Sequence, residues 1–133
     1  MNIALIAHDK KKELIVDLCI AYKSILQQHT LFATGATGSF IIEGAELPVY
    51  RFSTGSLGGT QQIAARISLN EIDLVIFLRD PVSDQGYAPD INTLLRLCDV
   101  NNIPFATNVA TAEMLIKGLE RGDLSWRELI VKE

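Results

Sequence analysis

The sequence predicts an α/β fold: a single domain spanning residues 1–133, with three α/β/α layers around a mostly parallel five-stranded sheet. Three observations point there. The runs 3–7 and 73–78, the first apolar throughout and the second apolar after Asp73, lack polar alternation, as strands buried on both faces do. Between the expected strands, apolar residues return at helical spacing. Polar loops rich in glycine and hydroxyl side chains follow the strands, and in an open parallel sheet such loops gather at one edge and bind ligands.

The first strand, Ile3 to Ala7, ends in His8-Asp9-Lys10-Lys11-Lys12, and Leu14, Ile15, Leu18, Cys19 and Tyr22 continue as a helix. Asp9 is placed to cap that helix or to handle a proton, and Lys12 to meet a phosphate as a mobile point charge. A second strand, Leu31-Phe32-Ala33, opens into a loop from Thr34 to Ser39, with a short helix beginning at Phe40. Backbone donors and threonine hydroxyls suit a phosphate, whose oxygens accept many hydrogen bonds. The third strand, Val49 to Phe52, leads into Thr54-Gly55-Ser56-Leu57-Gly58-Gly59-Thr60, and Ile63, Ala64 and Ile67 resume helical spacing. That loop is neither a Walker A sequence nor a GxGxxG fingerprint.

Asp73 to Leu78 reads as the central strand, followed by a long loop from Arg79 to Asp90. Asp90, behind Pro89, has the place of a helix N-cap. A brief fifth strand, Pro104-Phe105-Ala106, precedes a turn at Thr107-Asn108 and a helix carrying Ala112, Leu115, Ile116 and Leu119. In the tail, Ser125 and Glu128 have capping-box spacing, Trp126 is read as a packing anchor, and Leu129-Ile130-Val131 as a last short strand.

Composition narrows the function classes. Hydrophobic content of 48% excludes a disordered chain, and a net charge of -4 argues against a nucleic-acid partner. Cys19 and Cys98 lie in apolar helical patterns without a CxxC partner, so core packing is expected and no metal site. The apolar N-terminus is too short to cross a membrane and lacks the features of a signal peptide, which gives a cytoplasmic expectation. These residues describe a site for a small phosphorylated compound or inorganic phosphate, in an enzyme or a sensor.

The stretches AHDKKK at 7–12, ATGATG at 33–38, TGSLGGTQQ at 54–62, DLVIFLRDP at 73–81, PDINTLLRLCDV at 89–100 and IPFATNVATAE at 103–113 together resemble the methylglyoxal synthase family. The resemblance covers almost the whole chain. It implies a lyase that eliminates phosphate from dihydroxyacetone phosphate without a cofactor, assembles as a homohexamer and is inhibited by phosphate. It places Lys12, Thr34, Ala36, Thr37, Thr54 and Gly55 at the phosphate, with His8 a further candidate for binding, and Asp9 and Asp90 on active-site aspartates, with Asp80 a further candidate for the base. The chain departs from the pattern where Thr60 replaces the aspartate that serves as catalytic base and Tyr87 replaces an active-site histidine. A threonine hydroxyl is no base for a C–H proton unless another group activates it. Two alternatives to the lyase therefore stand: a regulatory paralogue that binds a phosphorylated metabolite without turning it over, and a lyase or isomerase with another phospho-substrate.

Overall fold

The computed structural model describes residues 1–55, 58–82 and 88–129, with backbone alone at 88–90. Five strands, β1 (Asn2–Ala7), β2 (Thr30–Ala33), β3 (Tyr50–Arg51), β4 (Leu74–Leu78) and β5 (Phe105–Ala106), form one sheet in the order β3-β2-β1-β4-β5. Every pairing is parallel, with Leu5 opposite Ala33 on one side and Ile76 on the other, and Val75 opposite Phe105. The strands with the longest apolar runs, β1 and β4, are the central pair. The exposed two-residue strand β3 is an edge, where a short strand offers little backbone for unwanted pairing.

Alternate strand residues divide the core into two. Ile3, Leu5, Ala33, Leu74 and Ile76 pack under Ile15, Leu18 and Cys19 of α1 (Lys12–Ala21), Ile41 of α3 (Gly35–Ala45) and Ile116 of α6 (Val109–Arg121), where α2 (Lys23–Leu26) adds Leu26. On the other face Ala4, Ile6, Phe32, Val75 and Phe77 meet Ile63 and Ile67 of α4 (Gly59–Ser68) and Leu94 and Cys98 of α5 (Ala88–Asn101). Truncating one of these fully buried side chains to alanine costs about 2–5 kcal/mol. Both cysteines are core residues as expected, and burial pushes each thiol up to about 12. Among the described residues no helix is long and apolar enough to cross a membrane.

Several boundaries differ from the sequence reading. Residues 35–39, expected as loop, already belong to α3, because Gly35 and Gly38 lie against the main chain of Phe52 and the side chain of Arg51, contacts that a Cβ would obstruct. Asp90 is the third residue of α5 rather than its N-cap. Trp126 is 44% exposed, and its neighbour Arg127 is the anchor, 1% exposed. Leu129 closes a 3-10 helix, Ser125–Leu129, instead of opening a strand, and residues 130–133 lie outside the described residues.

Arg127 ties down the edge of the sheet at which β1 and β4 begin. Its guanidinium donates to Asp73 Oδ1 at 3.2 Å, to the carbonyls of Asn101, Asn102 and Ile72, and to Asn70 Oδ1 at 2.6 Å. Asp73 Oδ2 in turn accepts from Asn2 N–H at 2.8 Å. Asn70 and Asn102 both adopt left-handed backbone, which asparagine tolerates better than most residues, as the chain turns toward β4 and β5.

Candidate active site

A parallel sheet brings the ends of all its strands to one edge, and the four polar loops meet there. The strand order reverses between β1 and β4, since β2 and β3 lie to one side of β1 and the chain then crosses to the other. Open α/β sheets bind ligands at such a switch point. His8, after β1, and Asp80, after β4, touch across it: Asp80 N–H donates to His8 Nδ1 at 2.9 Å, and His8 N–H donates to the Leu78 carbonyl at 3.1 Å. The imidazole stands edge-on to Phe77, with ring centroids 5.2 Å apart.

Lys12 opens α1 and turns its ammonium back over the end of β1, 3.0 Å from the Ala7 carbonyl and 2.8 Å from Asp9 Oδ1. The hydrogen bond from Lys12, and then its charge, hold the Asp9 carboxyl below the usual aspartate range. Asp9 itself is 95% exposed and makes no cap. A carboxylate so placed is a poor base for a C–H proton, because stabilising its ionised form weakens its pull on a proton.

The β2 loop supplies a helix start aimed at the same edge. Thr34 precedes α3 with extended backbone, its hydroxyl donating to Thr37 Oγ1 at 3.3 Å, and both threonines are buried. Gly35 N–H donates to the Ser53 carbonyl at 3.0 Å, while Ala36 and Thr37 carry first-turn N–H groups that have no partner within the helix. Ala36 has no hydroxyl, so any contact it makes with an anion runs through its backbone. A Cβ on Gly35 would come within 3.0 Å of the Phe52 carbonyl oxygen, which is why this loop can lie so close to the next.

The β3 loop is folded onto α4. Gly58 takes φ 100°, Gly59 N–H donates to the Thr54 carbonyl at 2.9 Å, and Ser53 N–H donates to Gln62 Oε1 at 2.8 Å. Only glycine fits at 59, where a Cβ would fall 1.9 Å from the Ser53 carbonyl oxygen. Thr60 follows in the first turn of α4, 8% exposed, its hydroxyl 3.6 Å from where a Cβ on Gly55 would lie. Thr54, Gly55 and Thr60 therefore stand together, beside the α3 start.

Of the residues singled out in the sequence, His8, Asp9, Lys12, Thr34, Ala36, Thr37, Thr54, Gly55, Thr60 and Asp80 all lie on this edge. Asp90 is there by its backbone, in the first turn of α5, and Tyr87 lies outside the described residues. Two further side chains, Ser39 and Arg51, border the site. An open groove of about 650 Å³ runs from Gly35, Ala36 and Thr54 to Ser39 and Arg51, whose Nη1 donates to Ser39 Oγ at 2.6 Å. It adjoins the phosphate loops without reaching Lys12 or His8, so the groove and the switch-point crevice are neighbouring features. Arg51 carried no signal in the sequence, since its position reads simply as part of a strand.

The family model of the MGS-like domain matches residues 14–107. The chain belongs to the methylglyoxal synthase-like family. It is 66% identical over 130 residues to a methylglyoxal synthase of Caldicellulosiruptor saccharolyticus, covering 98% of this chain and 92% of that protein. With the methylglyoxal synthase of Listeria welshimeri it shares 60% identity over 129 residues, 97% of this chain and 96% of the other. The crystal structure of methylglyoxal synthase from Elizabethkingia anophelis has the same fold, with a TM-score of 0.81 at 41% identity, over 86% of this chain and 76% of that one. Family membership thus agrees with the resemblance in the sequence and with the three-layer architecture.

Proposed function

We propose that this protein is a methylglyoxal synthase-type carbon–oxygen lyase acting on dihydroxyacetone phosphate. The observation that carries the reading is its full-length similarity to methylglyoxal synthases, at 66% identity over 98% of the chain. In this reaction a base removes a proton from the carbon beside the carbonyl. The enediolate then expels phosphate as its carbon–oxygen bond breaks, and the remaining enol takes up a proton to become methylglyoxal. The first-turn N–H groups of α3, the hydroxyls of Thr34, Thr37 and Thr54, the backbone of Gly55 and the Lys12 ammonium hold the phosphate. Lys12 is suited to this because two of its three N–H donors point at Ala7 and Asp9, leaving one for a ligand.

Asp90 is the carboxylate to which we attribute proton removal. Position 60 offers only a hydroxyl, Asp9 is exposed and paired with Lys12, and the Asp80 carboxylate accepts from Val82 N–H at 3.1 Å. By its backbone Asp90 stands in the first turn of α5, the helix that follows β4. The test is formation of methylglyoxal and phosphate by the purified protein, beside Asp90→Asn and Thr60→Asp. Turnover that falls roughly 10²–10⁴-fold in Asp90→Asn supports the reading. Turnover absent from the unaltered protein and gained in Thr60→Asp would instead identify a phosphate-compound binding protein built on the enzyme's frame.

A further inference from the structure

We infer that Asp80 is a positioning residue, which sets the tautomer of His8 through its main chain and holds that main chain in place through its carboxylate. A neutral imidazole has one protonated nitrogen, and the one that accepts a hydrogen bond is the other. His8 Nδ1 accepts from Asp80 N–H at 2.9 Å, so the ring proton sits on Nε2. The donor is fixed in its turn, because Asp80 Oδ1 accepts from Val82 N–H at 3.1 Å, two residues on. Such a side-chain turn locks the backbone where a strand gives way to a loop. The lock is worth having here, since β4 ends at Leu78 and Val82 is 91% exposed. Burial keeps water from competing for the carboxylate, as Asp80 is only 8% exposed.

The catalytic consequence rests on the lyase reading; the tautomer does not. An N–H donor of fixed direction stabilises the oxygen of an enediolate without delivering a full proton to it, and it has to be organised before the substrate arrives. A side chain that rotated or exchanged tautomers would present a lone pair to that oxygen for part of the time. Asp80 therefore acts through His8, and its carboxylate is needed as an acceptor rather than as a base.

That distinction can be tested, because asparagine also accepts a hydrogen bond in the same turn but cannot take up a proton. The protein has two histidines, so ¹⁵N spectra of imidazole-labelled protein give two ring signatures, assigned with His29→Gln. His8 should show an unprotonated Nδ1 and a protonated Nε2 in the unaltered protein and in Asp80→Asn. In Asp80→Ala a mixture of tautomers should appear, with kcat lower by about 10- to 100-fold, KM little changed, and most of the loss recovered in Asp80→Asn. A proton on Nδ1 of His8 in the unaltered protein would overturn the inference. So would equal losses of kcat in the asparagine and alanine variants with the tautomer intact in both, since the carboxylate would then be moving a proton itself. The spectra of the unaltered protein and of Asp80→Asn decide the tautomer even if Asp80→Ala does not fold or no form turns over dihydroxyacetone phosphate, so failure of the lyase reading stays distinguishable.

Discussion

The two edges of the sheet use the same kinds of polar group for opposite ends. At the edge where the strands begin, Arg127 donates to Asp73, to Asn70 and to three nearby carbonyls inside the protein, five bonds from one guanidinium. Where the strands end, hydrogen bonds such as Gly35 to Ser53 and Gly59 to Thr54 fold the loops, while the first-turn donors of α3 and the third donor of Lys12 point outward. A buried polar network closed on itself gives rigidity, and one left open toward solvent gives binding. A substitution at the closed edge should therefore cost stability, and one at the open edge should cost function.

Breaking the closed edge has the largest expected effect. Arg127→Met leaves the Asp73 carboxylate buried and without its guanidinium, which should destabilise the fold by about 3–5 kcal/mol, read from the denaturation midpoint. Activity per folded molecule should change little, because the guanidinium lies at the far end of the sheet. At the open edge the expectation reverses. Lys12→Met should raise KM for dihydroxyacetone phosphate by about 10- to 100-fold, as a charge-assisted hydrogen bond worth about 1.5–3 kcal/mol is lost, with the denaturation midpoint nearly unmoved.

How far the sequence reached follows the same division. The loops at the open edge were legible because strand, glycine and threonine follow one another locally, and a helix start that faces an anion needs only that local order. The closed edge was not, since Arg127 meets Asp73 and Asn70 from more than fifty positions away and no spacing announces it. Trp126 has the aromatic bulk of an anchor, yet that bulk lies nearly half in water. The start of α3 is hidden for a related reason: Gly35, Thr37, Gly38 and Ser39 are poor helix formers, and the tertiary contacts of Gly35 and Gly38 override that propensity. The meeting of His8 and Asp80 depends on β1 and β4 being neighbours, which the order of elements along the chain does not reveal.

Two smaller effects follow the same division. Asn108 Oδ1 accepts from Thr111 N–H at 3.0 Å and caps α6, so Asn108→Ala should lower stability by about 1 kcal/mol in thermal or chemical unfolding, without altering KM. Asp9→Asn should matter least for stability, by under about 1 kcal/mol, because the Asp9 carboxylate is 95% exposed and solvent screens its attraction to Lys12. Its sign can still be stated. Lys12 lowers the Asp9 pKa, so the pair contributes above the ordinary value of 3.8 and its contribution is lost as the pH falls below that through the folded-state value. The difference between Asp9→Asn and the unaltered protein should accordingly be seen at neutral pH and vanish in acid.

The most direct test of the central claim is a ³¹P spectrum recorded over time as the purified protein meets dihydroxyacetone phosphate. The lyase reading predicts that the ester signal is replaced by inorganic phosphate, one for one with methylglyoxal. An ester signal that broadens or shifts on binding and is never consumed would contradict it.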